Sequence, residues 1–262
     1  MCIFNNSHFL QKGNFGLLRT ILLLLAAVLY LILTLPVLLV LTLIGKKNPR
    51  KRERVSTAMI RWIFRILSTI SGAKITVRGL ERIPKDQAVL YVGNHRSIFD
   101  IILVHPFTAG RTGFVAKNSL ARVPIFSVWC KYICCLFFDR ENIREGLQMI
   151  RDGIALLDRG VSVFIFPEGT RSKQDDDLPL LPFHEGSFRI ATRNSHPIVP
   201  VAISNTAAIF EKQKPRVKSR HVVIEFCEPI ETASLSRDEK KHLGEHASEI
   251  ITETIRQNKQ FL

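Results

Sequence analysis

The stretch "VSVFIFPEGTRS", residues 161–172, joins an apolar run to a turn that carries several polar side chains. The run VSVFIF is short, continuous and apolar, which indicates a strand buried in a sheet. Proline and glycine punctuate the turn, and Gly169 lets the backbone approach another molecule closely. Open α/β sheets bind ligands at the carboxyl ends of strands, so Glu168, Thr170 and Arg171 are candidate ligand-binding residues. The alternative is a surface turn with a local Glu–Arg pair.

Six other runs of strand type lie downstream of residue 73: KITVRG (74–79), AVLYVG (88–93), GFVA (113–116), KYICCLFF (131–138), PIVPVAI (197–203) and HVVIEF (221–226). Helical patterns lie between several of them, and the clearest covers 142–158 and ends at Gly160. A last helix is predicted from the capping box Ser236–Glu239 to Gln257. This alternation predicts an α/β fold with a mixed, mostly parallel sheet flanked by helices.

An uncharged apolar stretch, TILLLLAAVLYLILTLPVLLVLTLI, occupies residues 20–44. As one helix it would extend ~37 Å, enough to cross a hydrocarbon core of ~30 Å. Pro36 removes one helix hydrogen bond and favours a kink or break, so a membrane-embedded hairpin or re-entrant piece is the alternative to one span. The stretch is too long for a signal peptide. The sequence therefore predicts membrane-anchoring helices in residues 1–72 and a catalytic or binding domain in residues 73–262.

A basic cluster, KKNPRKRER at residues 46–54, follows the apolar stretch, whereas only Lys12 and Arg19 precede it. This asymmetry places the downstream domain on the cytoplasmic side of the cell membrane, and the cluster would attract anionic lipid headgroups. Segment 52–71 continues as an amphipathic helix. Its basic side holds Arg54, Arg61, Arg65 and Ser68, and its apolar side holds Val55, Met59, Trp62, Ile63, Ile66 and Ile70. The pattern is typical of a helix at the membrane interface, and equally of a helix that covers a domain core.

The formal net charge of +14 implies an anionic partner, which is nucleic acid, an acidic membrane surface or a phosphate-bearing substrate. The apolar stretch makes nucleic acid the weakest of these. The five cysteines form no metal-binding spacing, so no metal site is predicted. The loops at 173–182 and 211–219 have solvated compositions, and no chemistry is predicted for them.

A second group of polar residues, in "YVGNHRSIFD" at 91–100, follows another predicted strand. Ser97-Ile-Phe-Asp100 has the form of a capping box with Ser97 at the N-cap, so His95 would stand just before a helix with Asp100 in its first turn. The carboxylate would then fix the tautomer of the histidine and stabilise its protonated form. If the strands are parallel, His95 and the turn at 167–171 meet at one edge of the sheet.

These motifs resemble those of the glycerolipid acyltransferases, and in particular of the members that acylate 1-acylglycerol-3-phosphate. Four blocks occur in order: NHRSIFD with its HX4D motif, FVAKNSLARVP with FFDR, FPEGTRS and IVPVAI. The resemblance implies a glycerol-3-phosphate acyltransferase-like fold. It places the catalytic positions at His95 and Asp100. It places substrate-binding positions at Lys117, Arg140, Glu168, Gly169, Thr170, Arg171 and Pro200.

The resemblance implies transfer of a fatty acyl group from acyl-CoA or acyl-carrier protein to the sn-2 hydroxyl of 1-acylglycerol-3-phosphate. The product would be phosphatidic acid, an intermediate of phospholipid biosynthesis. In this hypothesis His95 is the general base, Asp100 orients it, and Arg171 and Lys117 bind the phosphate of lysophosphatidic acid. Glu168 positions Arg171 or an acceptor hydroxyl. Neither a cofactor nor a metal is expected.

Two alternatives remain open. One is an acyltransferase for another lyso-lipid, such as lyso-ornithine lipid or a lysophospholipid, because His184 stands where the family commonly has lysine. The other is a non-catalytic module that binds anionic lipid.

Overall fold

A seven-stranded sheet forms the centre of the protein, whose structure, a computed structural model, describes residues 7–139 and 142–262. Every predicted strand is present. The strands are β1 (Lys74–Arg78), β2 (Leu90–Gly93), β3 (Thr112–Lys117), β4 (Leu136–Phe138), β5 (Ser162–Ile165), β6 (Ile198–Ser204) and β7 (His221–Phe226). The helices are α1 (Ser7–Leu33), α2 (Leu35–Lys47), α3 (Pro49–Ser71), α4 (Phe99–Val104), α5 (Phe126–Tyr132), α6 (Ile143–Asp158), α7 (Arg189–Thr192) and α8 (Leu243–Asn258).

The strand order is β1-β7-β6-β2-β5-β3-β4. Neighbouring strands are parallel except for β6 and β7, which confirms the predicted mixed, mostly parallel sheet. β2 lies directly beside β5, and the register pairs Leu90 with Val163 and Val92 with Ile165. The carboxyl ends of these two strands, which carry the two predicted motifs, therefore open at the same edge of the sheet.

Helices cover both faces of the sheet. One face packs against apolar residues of α6, α7 and α8, and the other against α4 and the chain that follows β6. The predicted helix 142–158 corresponds to α6. Its N-cap Asn142 accepts hydrogen bonds from the backbone of Arg144 and Glu145, and Gly160 follows it with a φ of 73°.

Two predicted boundaries need correction. Ser236 and Glu239 do exchange the capping-box hydrogen bonds, at 2.7 and 3.2 Å, but a short 3-10 turn follows and α8 begins only at Leu243. The run 131–138 contributes only its last three residues to a strand. Its first residues end α5, because Trp129 is drawn into a cluster of apolar side chains with the N-terminal helices.

The apolar stretch 20–44 is one kinked helical unit. Hydrogen bonding continues across the bend, from the Thr34 N–H to the Tyr30 carbonyl (3.0 Å) and from the Leu38 N–H to the Thr34 carbonyl (2.9 Å). Pro36 lies in the first turn of α2, where its missing N–H costs little. The chain reverses at Asn48, and α3 then packs against both α1 and α2. The interruption between α1 and α2 therefore falls at Thr34, two residues before the proline at which a kink or break was predicted.

α3 buries one side against the rest of the protein and exposes the other. Ile60, Ile63 and Leu67 are buried, and Ser68 is buried with them, whereas the sequence pattern placed it with the exposed arginines. Trp62 lies on the outer side with 59% of its surface exposed. Ser68 satisfies its hydroxyl by donating to the Phe64 carbonyl at 2.7 Å, so its burial on the inner side costs little.

An apolar cluster joins the N-terminal helices to α5. The Trp129 ring lies 5.5 Å from that of Tyr30 and donates its indole N–H to the Thr34 hydroxyl at 3.2 Å. Thr20 of α1 bonds to the loop after β6: its hydroxyl donates to the Pro215 carbonyl (2.8 Å) and accepts from the Val217 N–H (3.0 Å). The division into regions 1–72 and 73–262 stays a prediction, and these two regions share buried contacts.

Candidate active site

The end of β2 is fixed by a side chain that continues the sheet. The Asn94 amide donates to the carbonyl of Ile203 and accepts from its N–H, both at 2.9 Å. Asn94 thus takes the place of a backbone partner beside β6, and the chain turns away from the sheet at the next residue, His95. Asn94 was not among the residues predicted for the site. Its only local signal was a polar residue at the end of an apolar strand.

His95 and Asp100 form the predicted pair. The His95 Nδ1 lies 2.7 Å from Oδ2 of Asp100, which is completely buried. The same carboxylate accepts from the backbone N–H groups of Arg96 (2.7 Å) and Ser97 (2.8 Å) and from the Thr206 hydroxyl (2.5 Å). Four donors therefore hold the Asp100 carboxylate in place. If Ser97 were the N-cap, α4 would begin at Ile98. It begins one residue later, at Phe99.

These contacts decide which nitrogen of His95 is available. An ionised carboxylate can only accept hydrogen bonds, so Nδ1 carries the hydrogen and Nε2 keeps its lone pair. The imidazole also stacks on Phe166, with ring centroids 4.1 Å apart and planes 18° apart. The ring is thus held from two directions, and His95 lines the main cavity. This arrangement can supply a general base.

Glu168 holds backbone groups, whereas the sequence suggested that it positions Arg171 or an acceptor hydroxyl, and the second of these roles stays a prediction. Its Oε1 accepts from the His95 N–H at 2.6 Å and its Oε2 from the Leu181 N–H at 3.1 Å. Burial raises the pKa of Glu168, and the two backbone donors oppose that rise. The next residue, Gly169, has a φ of 70°, a conformation that favours glycine. Glu168 thus ties the turn after β5 to the residue that carries the imidazole.

Arg171 pairs with a residue that is distant in the sequence. Its Nη1 lies 3.1 Å from Oε1 of Glu211, so the local Glu168–Arg171 pair is not the contact that forms. Glu211 also accepts from the Ser97 hydroxyl (2.5 Å) and from the Ile98 N–H (3.0 Å). No chemistry was predicted for loop 211–219. The contacts of Glu211 correct that prediction, because they place this residue beside the site. The available signal in the sequence was that Glu211 is the single acidic residue of this loop, beside four basic residues.

The loop at 173–182 also belongs to the site. The Arg96 side chain is only 1% exposed, and it donates to the Ser172 hydroxyl at 3.0 Å and to the Gln174 carbonyl. Asp177 accepts from the Asn205 N–H at 2.7 Å. These contacts fasten the loop beside the motif that carries His95, so this loop too has a structural part in the site.

A cavity of about 500 Å³ opens between these elements. Its polar lining residues include His95, Lys117, Thr170, Arg171 and His184. Its apolar lining residues include Val115, Leu120, Phe138, Met149 and Ile165. The volume is in the usual range for small-molecule sites, which lies between ~300 and 1,000 Å³. A ligand with an anionic group and an apolar chain would fit this division.

Most predicted site residues converge here. Lys117 ends β3. His184 lies against Gly169, because a Cβ atom added at Gly169 would come within 3.1 Å of the His184 Nε2. Pro200 is buried within β6 opposite Val92, and within the described part of the chain it is not a cavity-lining residue. Arg140 lies outside the described residues. Residues 7–139 and 142–262 contain no cluster of three or more side chains suited to a metal ion.

Comparisons with known proteins identify the family of this chain. The acyltransferase family model matches residues 74–204. A 1-acyl-sn-glycerol-3-phosphate acyltransferase of Borreliella burgdorferi is 32% identical over 191 residues, covering 72% of this chain and 75% of that protein. One of Saccharomyces cerevisiae is 26% identical over 222 residues, covering 82% of this chain and 69% of that protein.

The fold also matches a solved structure. The crystal structure of the 1-acyl-sn-glycerophosphate (LPA) acyltransferase PlsC from Thermotoga maritima superposes with a TM-score of 0.80 at 26% sequence identity. The match covers 95% of this chain and 98% of the other, so it includes the N-terminal helices as well as the sheet. Family model, relatives and fold agree, and the chain belongs to the acyltransferase family.

Proposed function

We propose that the enzyme transfers a fatty acyl group from acyl-CoA or acyl-carrier protein to the sn-2 hydroxyl of 1-acylglycerol-3-phosphate. The product is phosphatidic acid, an intermediate of phospholipid biosynthesis. The names of the relatives support this reaction. The observation that carries it is the His95–Asp100 pair at the wall of a cavity that also presents Lys117 and Arg171. Acyl donor and lipid acceptor are the two substrates, and the mechanism uses side chains alone.

His95 acts as the general base in this mechanism. Its Nε2 takes the proton from the sn-2 hydroxyl, and the oxygen attacks the carbonyl carbon of the thioester. The resulting tetrahedral intermediate collapses with loss of the C–S bond, and the imidazolium returns its proton to the departing thiolate. Asp100 holds the ring in the correct tautomer and stabilises the imidazolium. The backbone contact from Glu168 fixes the main chain of His95.

The acceptor phosphate binds at the polar side of the cavity. Arg171 offers a planar guanidinium that matches phosphate oxygens, and Lys117 adds a second positive charge to the lining of the same cavity. Gly169 lets the acceptor approach the turn, and the Thr170 hydroxyl is available beside it. The apolar side takes an acyl chain. Arg140 keeps the substrate-binding role that the family resemblance predicts, whereas Pro200, buried within β6, is proposed to support the site through the strand.

A second acceptor class is favoured by one observation. His184 lines the same cavity, against Gly169, where the family commonly has a lysine. An imidazole supplies less positive charge than an ammonium at neutral pH. Other lyso-lipids, such as lyso-ornithine lipid or a lysophospholipid with a larger headgroup, are therefore the competing acceptors.

An assay of the purified full chain with labelled lyso-lipids and both classes of acyl thioester tests the proposal. We expect lysophosphatidic acid to give the highest kcat/KM of the acceptors and the product to be phosphatidic acid. A higher kcat/KM for a different lyso-lipid would identify that lipid as the acceptor instead. Binding without turnover of any acceptor would indicate a lipid-binding module.

We also propose that α1 and α2 embed the enzyme in the cell membrane with the catalytic domain on the cytoplasmic side. Within the described chain, Phe15–Leu33 is the one helix long and apolar enough to cross a bilayer. The outer face of α1 and α2 exposes a continuous series of large apolar side chains. Such a surface is suited to contact with the lipid of a bilayer. The opposite face contacts the rest of the protein at Thr20, Thr34 and Thr42, which favours insertion from one side.

Membrane fractionation tests the embedding. The full chain should stay in the membrane pellet through washes at 1 M NaCl, which screen charges beyond ~3 Å, and should be released by detergent. The variant Leu25→Arg/Leu29→Arg, which alters two exposed residues of α1, should move to the soluble fraction. Protease should reach the catalytic domain in inverted vesicles only. Release of the unchanged protein by salt alone, or digestion in right-side-out vesicles, would refute the arrangement.

A further inference from the structure

We propose that Glu211 is a positioning residue of the acceptor site. Its carboxylate holds the Arg171 guanidinium at the cavity and thereby sets the affinity of the enzyme for the acceptor phosphate. This inference rests on the proposed function in so far as the acceptor carries a phosphate. Glu211 itself is not among the residues that line the cavity in the described chain.

Three donors from two separate parts of the chain converge on this carboxylate. Oε2 accepts from the Ser97 hydroxyl at 2.5 Å, and Oε1 accepts from the Ile98 N–H at 3.0 Å and from Nη1 of Arg171 at 3.1 Å. Ser97 and Ile98 stand immediately before α4, whose first turn carries Asp100. Glu211 therefore connects the acceptor arginine to the segment that holds the catalytic pair.

The two contacts to Ser97 and Ile98 make Glu211 a fixed partner. The Glu211 side chain is 15% exposed, whereas that of Arg171 is 46% exposed. An ordinary pair of exposed ions contributes little, because both side chains must be ordered in water. Here the carboxylate is already held from the side of α4, so only the arginine has to be ordered. One nitrogen of the guanidinium is used by Glu211, and the others remain for a phosphate.

The loop that carries Glu211 is itself held at its far end. Pro215 and Val217 bond to the Thr20 hydroxyl of α1, and the Val217 N–H also points to the Gly16 carbonyl at 3.1 Å. The carboxylate is thus held on a loop fastened at two points. Loss of its charge should release Arg171 into several rotamers, and each binding event would then have to order that side chain again.

The variant Glu211→Gln keeps the shape of the side chain and removes its charge. We expect the acceptor KM to rise about tenfold, because charged hydrogen bonds are the stronger class, while the donor KM changes less than about twofold. Glu249→Gln, at an exposed position of α8, is the matched control and should leave both constants unchanged. A rise in both constants together, or a fall in the acceptor KM, would overturn the proposal.

A double-mutant cycle with Arg171→Ala gives the decisive result. If Glu211 acts through Arg171, adding Glu211→Gln to Arg171→Ala should change the acceptor KM less than twofold, since coupled residues are non-additive. Effects that multiply would show that Glu211 acts independently of Arg171, which contradicts the proposal. A lowered Tm with unchanged KM values would assign Glu211 a purely structural role.

The same four proteins should be titrated with dodecyl phosphate, which has no sn-2 hydroxyl and is not acylated. Its Kd should follow the same non-additive pattern. This readout separates the two proposals. A wild-type enzyme that binds dodecyl phosphate with the expected coupling but does not acylate lysophosphatidic acid refutes the proposed function alone. Absence of binding, or additive Kd changes, refutes the role of Glu211.

Discussion

Replacement of His95 by alanine should lower kcat by ~10²–10⁴-fold, the usual contribution of a positioned general base. The remaining site would still bind both substrates, because the cations at the cavity are unaffected, so both KM values should change little. Asp100 would keep its hydrogen bonds from Arg96, Ser97 and Thr206, which preserves the start of α4. The loss should therefore fall on the chemical step and leave the Tm nearly unchanged.

Steady-state kinetics of the purified variant, with thermal unfolding measured alongside, decide this prediction. His242→Ala is a suitable control, since that histidine is exposed just before α8, and its activity should equal that of the wild type. Near-normal turnover by His95→Ala would remove the general-base mechanism.

Arg171→Ala should reduce kcat/KM for a phosphate-bearing acceptor by roughly 10- to 150-fold. A charge-assisted hydrogen bond contributes ~1.5–3 kcal/mol, and Arg171 offers at least one such bond to the phosphate. The half-exposed position of the guanidinium favours the lower part of this range. Arg171→Lys should restore part of the loss, because a single ammonium cannot reproduce the bidentate contact.

The measurement varies each substrate in turn. We expect the acceptor KM to rise and the donor KM to stay constant, with Arg193→Ala, an exposed arginine beyond α7, as the control that changes neither. A selective rise in the donor KM would reassign Arg171 to the thioester side of the site.

The parts of this fold that the sequence predicted are those with local signals. Short apolar runs located all seven strands, and glycine after α6 marked its end. Parallel neighbours place their carboxyl ends together, so the meeting of His95 with the turn at 167–171 also followed from β2 and β5. The end of α5 at Tyr132 could not be predicted in this way, because Trp129 packs against α1 and α2 and the first residues of the run 131–138 complete that helix.

The residues that were missed act over long separations in the chain. Asn94 contacts Ile203, 109 residues away, and Ser97 contacts Glu211, 114 residues away. Nothing in a window around Glu211 indicates that its carboxylate will face Arg171, because that depends on how the loop after β6 returns to α4. Local pattern therefore located the His95–Asp100 pair, and only tertiary structure located the groups that hold it.

The contact between Thr20 and the loop at 215–217 means that α1, if it is the membrane anchor proposed, cannot be exchanged freely for another anchor. A chimera that carried an unrelated anchor in place of residues 1–47 would still be delivered to the bilayer, yet its loop would lack the hydroxyl that fastens it. Such an enzyme would be located at the membrane but would bind its acceptor with lower affinity. If α1 anchors the enzyme and Glu211 positions Arg171, as proposed, selection on α1 would act on acceptor affinity as well as on membrane localisation, and truncations that lack residues 1–47 would bind the acceptor more weakly.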